Sequence, residues 1–273
     1  MLEFLVIPSR FFSSRFSPVC LAKFLCAVSI LLLNTSLVRP QVNSIVVAVE
    51  DGAAPWSQLD GTGYANDVVV AAFKAVGVDV ELRVVPYARC KRMALNGEVP
   101  ACFNASPSPE FAGFLELSAQ PLFSINAGYF YNVNKPVKAT RQENLPPKTV
   151  IGTVIGYEYP PSFDRLKQQG IIVVEESPSE NINLRKLAAG RIDLALLTYN
   201  EMKTPVFLIK RAGVSGQVKT TFQAGMMNSY IAFSTKHSQG RWAKQEFDKG
   251  FASISRNGTL QRIKSKWLRA LTR

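Results

Sequence analysis

From Ser44 onward the chain alternates short β-branched runs with amphipathic stretches. Ser44-Ile45-Val46-Val47-Ala48-Val49 is almost continuously apolar, the pattern of a strand buried on both faces of a parallel sheet. A Gly/Pro-rich loop covers 51–56 and runs on to Gly61-Thr62-Gly63-Tyr64. Asn66 or Asp67 is placed to cap a helix over 68–75 that stops at Gly77. Residues 78–85 predict a second strand, with Asp79, Glu81 and Arg83 alternating outward. Pro86-Tyr87-Ala88-Arg89 leads into a short helix ending at Asn96-Gly97, and Ala101-Cys102-Phe103 predicts a third strand. This β-α-β-α-β alternation implies an open parallel α/β sheet.

An apolar strand follows over 127–133, then a Lys/Pro-rich polar linker over 134–148. A second α/β series begins there. It comprises a strand over 149–154, a helix opened by Pro160-Pro161-Ser162, a strand over 171–174, a helix over 181–189 and a strand over 192–197. The halves rhyme, because a leucine and a helix-stopping glycine precede a short apolar strand in each, Leu95-Asn96-Gly97 in the first and Leu187-Ala188-Ala189-Gly190 in the second. The chain closes with a strand over 229–234, an amphipathic helix over 241–255, and a last helix bringing Leu260, Ile263, Trp267 and Leu268 to one face. No tandem repeat or low-complexity tract interrupts this order.

The chain has 273 residues, 47% of them hydrophobic and 10% aromatic, enough for a large core or two lobes of roughly 100 residues each. Residues 1–23 are basic and acid-poor. They precede the apolar run 24–33, which is short for a membrane span but of signal-peptide length. The reading is a secretory signal and leader over 1–43, with a retained N-terminal anchor as the alternative. The remainder is expected to be soluble and periplasmic. Export removes Cys20 and Cys26 and leaves Cys90 and Cys102 as an even pair in an oxidising compartment. That favours a disulfide between them, with two reduced buried thiols as the alternative.

The formal charge of +12 first suggests nucleic acid. Residues 1–43 carry Arg10, Arg15, Lys23 and Arg39 against Glu3, so the exported body keeps +9, with basic residues scattered rather than interleaved with aromatics. A nucleic-acid partner is therefore not expected. His237 is the one histidine, which argues against a His-based metal centre or triad. There is no Gly-x-Ser-x-Gly, Walker loop or His-Glu-x-x-His, and no catalytic residue, cofactor or metal is expected.

Four stretches together carry a resemblance. They are Trp56 through Val70; Val85-Pro86-Tyr87-Ala88-Arg89 through Gly97; Leu187-Ala188-Ala189-Gly190-Arg191-Ile192-Asp193; and Tyr230-Ile231-Ala232-Phe233-Ser234 with Asn257-Gly258-Thr259-Leu260-Gln261-Arg262-Ile263. In this order and spacing the chain resembles the family 3 periplasmic solute-binding proteins, receptors of amino-acid-type ABC importers with the type 2 periplasmic-binding fold. The resemblance implies two α/β lobes, each a mixed, mostly parallel sheet flanked by helices, joined by two crossing strands and closing on a ligand. Lobe 1 is expected over 44–128 and 224–273, and lobe 2 over 129–223. A monomer that serves a small solute and an ABC permease is implied.

By the same resemblance, Trp56 is a ligand-stacking aromatic with Tyr64 nearby, the alternative for Trp56 being a loop aromatic that plugs its own lobe. Asn104, Ser106 and Ser108 follow the third strand, where the family offers donors to a ligand carboxylate, though turn formation beside Pro107 and Pro109 explains them equally. Gly156-Tyr157-Glu158 lies where lobe 2 presents backbone N–H groups, with Glu158 available to a cationic ligand. Thr198 and Tyr199 end the second lobe's central strand. Two departures stand out. No Arg follows Ser108 to clamp an α-carboxylate, and no Asp follows the Gly-Arg-Ile-Asp strand to pair an ammonium. Each missing contact is worth about 2–5 kcal/mol, which argues against a standard α-amino acid. Arg89 is a candidate replacement cation, its alternative being a surface arginine. Asp193 reads as structural, inside its strand. The expected function is a periplasmic solute receptor. The alternatives are an exported enzyme of the same fold, of the cyclohexadienyl or prephenate dehydratase kind, or a sensor-type binding domain. An enzyme would set a carboxylate and a cation facing each other in the cleft, with Glu110 and Glu158 as the candidates.

Overall fold

The protein, described here from a computed structural model, is defined over residues 43–271. The signal and leader expected over 1–43 lie outside the described residues except for Asn43, which opens the first strand. Strand β1 (Asn43–Glu50) pairs in parallel with β2 (Val78–Val85), setting Ile45 beside Val80 and Val49 beside Val84. Helix α1 (Tyr64–Lys74) connects them, starting four residues before the position expected to follow its cap. Neither Asn66 nor Asp67 caps it. The first N–H groups are taken by the preceding loop instead, Tyr64 by the carbonyl of Pro55 and Ala65 by that of Trp56. Gly63 permits this, since a Cβ there would sit 2.2 Å from the Trp56 carbonyl oxygen.

Helix α2 (Tyr87–Asn96) ends in a left-handed Gly97, and β3 (Ala101–Ala105) returns beside β1. A 3-10 turn (Pro109–Phe111) and the short strand β4 (Leu115–Leu117) lead to β5 (Phe123–Asn132). The second series runs β6 (Thr149–Val154), α3 (Pro161–Gln168), β7 (Ile172–Ser177), α4 (Glu180–Ala188) and β8 (Leu194–Tyr199). Asp193 precedes β8 rather than lying inside it, and its carboxylate accepts the Val150 N–H at 2.9 Å. Helix α5 (Pro205–Ala212) was not expected, nor was β4. The closing strand β9 spans Val218–Ser234, followed by α6 (Gly240–Arg256) and α7 (Thr259–Leu271).

The strand order is β2-β1-β3-β9-β5-β8-β6-β7, with β4 on β9. Pairs β1/β2, β1/β3, β6/β7 and β6/β8 are parallel; those involving β5 or β9 are antiparallel. The fold is therefore a mixed α/β sheet with two lobes. The first part of β9 lies along β5, and its last residues lie along β3 and β4. Helices cover both faces of each lobe. In the first, Phe73, Phe103, Phe233 and Phe247 fill the side under α1 and α6, and Cys90, Met93, Val99 and Cys102 fill the side under α2. Each buried large apolar side chain contributes about 1.5–3 kcal/mol. The second lobe has equivalent layers, around Tyr129 and Ile151 on one face and Phe130 and Leu184 on the other. Among the described residues, no helix is long and apolar enough to cross a membrane.

Cys90 and Cys102 are bonded, with Cα atoms 5.7 Å apart, and both are buried. The bridge fastens α2 to β3. In the chain-entropy picture a loop of this length stabilises by about 3 kcal/mol. Reduction, or Cys90→Ser with Cys102→Ser, should lower the unfolding free energy by about 2–4 kcal/mol. The measurement is the urea midpoint with and without reductant, and an unchanged midpoint counts against the bridge.

Candidate functional site

The carboxyl ends of the parallel strands converge between the lobes, where open α/β sheets place ligands. Glu50 ends β1, Asn104 lies near the end of β3, Thr198 near the end of β8, and Tyr157 and Glu158 follow β6. Together with Trp56, Tyr87, Ser106, Phe123, Ile125 and Ser229 these side chains wall a narrow hollow of about 20 Å³.

Asn104 reaches the hollow because β3 bulges against β9 between Phe103 and Ala105. Its φ of 68° is left-handed, a conformation Asn tolerates better than most residues. Its Nδ2 donates to Glu50 Oε1 at 2.8 Å, and the Tyr157 hydroxyl donates to Glu50 Oε2 at 2.7 Å. Burial of Glu50 outweighs these bonds and the more distant Lys203 charge, raising its pKa to about 7. Two buried polar atoms of lining residues, Asn104 Oδ1 and Ser229 Oγ, have no protein partner.

Glu158 enters from the second lobe and takes its donors from the first. The Tyr87 hydroxyl (2.7 Å) and the Ser106 N–H (3.1 Å) donate to Oε2, and Lys91 Nζ (3.1 Å) donates to Oε1. Lys91 also binds the Gly156 carbonyl at 2.7 Å and Glu110 at 2.5 Å. Burial raises the Glu158 pKa against the opposing pull of Lys91. Lys91 itself loses to burial but gains more from Glu158 and Glu110, and is held above its usual value. Gly156 lets the lobes approach: it has φ +82°, and a Cβ would sit 2.9 Å from Ala88 Cβ.

At the other end of the hollow, Glu180 Oε1 accepts the Thr198 N–H (3.0 Å) and hydroxyl (3.1 Å), and Glu180 Oε2 pairs with the fully buried Lys203. Lys203 Nζ lies 4.1 Å from the Trp56 ring centroid. Trp56 also packs on Phe123 at 4.8 Å and donates from Nε1 to Asn200 Oδ1 at 3.3 Å.

A model of the bacterial extracellular solute-binding proteins, family 3, matches residues 45–270. The chain belongs to that family. Among solved structures, it is similar to a histidine kinase sensor domain with similarity to periplasmic binding proteins. That pair shares 20% identity with a TM-score of 0.71, covering 84% of this chain and 98% of that one. An ancestral arginine-binding protein bound to arginine aligns at 18% identity and TM-score 0.67, over 82% and 98%. An ancestral amino-acid-binding protein, a precursor of cyclohexadienyl dehydratase, aligns at 15% and 0.64, over 83% and 95%. Among curated proteins, none matches the sequence.

Within this family member, Trp56, Asn104, Ser106, Tyr157, Glu158 and Thr198 line one hollow. The other candidates lie elsewhere. Tyr64 is buried in the first lobe's core against Phe123, and Arg89 is exposed on α2. Ser108 caps the 3-10 turn by accepting the Glu110 N–H, and Tyr199 packs edge-on against Phe130 with its hydroxyl accepting from Gln223. Gly156 contributes its carbonyl to Lys91. Sequence reading missed Glu50, Tyr87, Lys91, Glu180 and Lys203. The one available signal was the Tyr87–Lys91 spacing, which puts both on one helix face and turns Arg89 away. His237 forms a turn, its Nδ1 accepting the Gln239 N–H. Among the described residues, no group of three His, Cys, Asp or Glu side chains is placed to hold a metal.

The raised Glu50 pKa fixes a sign. Between about pH 4.5 and 7 the unfolded chain loses this proton while the folded chain keeps it, so stability falls as pH rises through that window. The fall is about 3 kcal/mol. Glu50→Gln should flatten it, and urea midpoints at pH 5 and pH 8 provide the comparison. An equal slope in the variant would assign the titration elsewhere.

Proposed function

We propose that this protein is a solute receptor that captures a small polar molecule by closure of its lobes, as the binding component of an ABC importer. The solute carries a cationic or donor-rich head and is not a standard α-amino acid. The charge balance of the hollow carries this reading. Lys91 is tied to Glu158 and Lys203 to Glu180, while Glu50 receives hydrogen bonds from the neutral Tyr157 and Asn104. Glu110 also shares Lys91, so the carboxylates outnumber the lysines by two, and of that excess only Glu50 lines the hollow, together with the unpartnered Asn104 Oδ1 and Ser229 Oγ, both able to accept from an incoming N–H. Trp56, Phe123 and Ile125 supply apolar wall. With its ring engaged by Lys203 and Phe123, Trp56 is read as a rigid wall rather than an open stacking face. The permease and export to the periplasm belong to the same reading, supported by the family, and a monomer is proposed with them.

One observation favours a second reading, an exported lyase of the same fold: Lys91 sits between the carboxylates of Glu110 and Glu158. Formation of phenylpyruvate from prephenate by the purified protein would establish it. The receptor reading expects none, because Lys91 is already engaged by three acceptors.

Titration calorimetry with agmatine, putrescine, L-arginine and L-alanine tests the receptor. The amines should bind, with no gain from the carboxylate of L-arginine, and L-alanine should not bind. A cation that forces Glu50 to ionise binds about tenfold more tightly at pH 8 than at pH 6 and releases a proton, and Glu50→Gln should abolish both effects. Tight binding of L-alanine with none of agmatine would overturn the ligand class.

A further inference from the structure

Three consecutive residues of the second lobe make hydrogen bonds to the first lobe beside the hollow. Tyr157 donates to Glu50; Glu158 accepts from Tyr87, Ser106 and Lys91; and the Gly156 carbonyl accepts from Lys91. These partners come from β1, α2 and the segment after β3, all in the first lobe. The hollow of about 20 Å³ has room for roughly one water and is far below the usual size of a ligand site. Two further hollows touch the same tyrosine. One of about 100 Å³ lies beside Glu50, Tyr87 and Ser179, and one of about 350 Å³ lies beside Glu110, Glu158 and Asp164. Tyr157 is thus the partition between three spaces.

The donor set around Glu158 is the second observation. An ammonium, a phenol and a backbone N–H from the opposite lobe converge on one carboxylate, which is the arrangement that recognises a free carboxylate ion. It is filled by a side chain of the protein itself.

We propose that Tyr157 and Glu158 act as a tethered internal ligand: Glu158 fills a carboxylate cradle built by Lys91, Tyr87 and Ser106, and Tyr157 supplies the donor to Glu50, so that the lobes close on each other without solute. An entering solute replaces the Tyr157 hydroxyl at Glu50. It need bring no carboxylate, because the protein provides one. Specificity then rests on Glu158 as a positioning residue that excludes carboxylate-bearing solutes from the cradle, and on Tyr157 as the group to be displaced. The loop carrying both is short, bounded by β6 and by Pro160-Pro161 at the start of α3, with Gly156 in left-handed conformation at its turn.

This deepens the receptor reading, but its test uses no receptor solute, so failure of one is distinguishable from failure of the other. Protein refolded from denaturant, to strip bound small molecules, is followed by hydrogen exchange at the Ser106 amide. Wild type should protect it, and Tyr157→Phe should speed exchange about tenfold, the value of a hydrogen bond worth about 1.4 kcal/mol, although the Ser106 partner itself is untouched. In parallel, Glu158→Ala should be stabilised by sodium acetate in a thermal melt, by several degrees more than wild type. Unprotected Ser106 in wild type, or unchanged exchange in Tyr157→Phe, overturns the self-closure. Equal acetate response in wild type and Glu158→Ala overturns the cradle.

Discussion

A carboxylate taken out of water must be given donors or keep its proton, and two of them, Glu50 and Glu158, meet this condition between the lobes. A charge-assisted hydrogen bond returns about 1.5–3 kcal/mol, so two or three are needed for each buried carboxylate. Much of the local geometry serves this need. The bulge in β3 swings Asn104 towards Glu50, the turn after β6 delivers Tyr157 to the same group, and α2 presents Tyr87 and Lys91 to Glu158. For Glu50, whose direct donors are both neutral, burial still prevails, and the proton stays on to about neutral pH. The same requirement draws Glu180 to Lys203 and Thr198 on the far side. The cleft is thus a set of solved desolvation problems whose solutions cross from lobe to lobe.

Most of the elements were legible because the lobes bury them. β1 read as an almost continuous apolar run, and the leucine–glycine step ending at Gly190 marked the end of α4 ahead of β8. Strand β9 was legible only in its last residues. Those are buried in the first lobe, whereas 219–228 run along β5 largely open to water and carry no clean alternation. Helix α5 was missed despite Thr204-Pro205 at its start and Gly213 at its end; with eight residues it shows little helical period, and only such boundary signals, as at the equally short α3, could have marked it.

The site was harder to read, for a different reason. Glu50 terminates an apolar strand and looks like a solvated end, and nothing local says that a tyrosine 107 residues away will cover it. Lys91 and Arg89 are equivalent by composition but differ by their place around the helix. Pairings between distant segments decided the chemistry, and the sequence pattern carries little of that information.

The disulfide sits at the junction of these contacts. Cys90 lies between Tyr87 and Lys91 on α2, and Cys102 lies two residues before Asn104 on β3. The bridge therefore fixes the spacing between the groups that hold Glu158 and a group that holds Glu50. A chain folded where thiols stay reduced would present the same side chains on an unfastened helix, with the cradle free to widen. One sulfur pair thus ties together the side chains that meet Glu50 and those that meet Glu158, as well as stapling the fold.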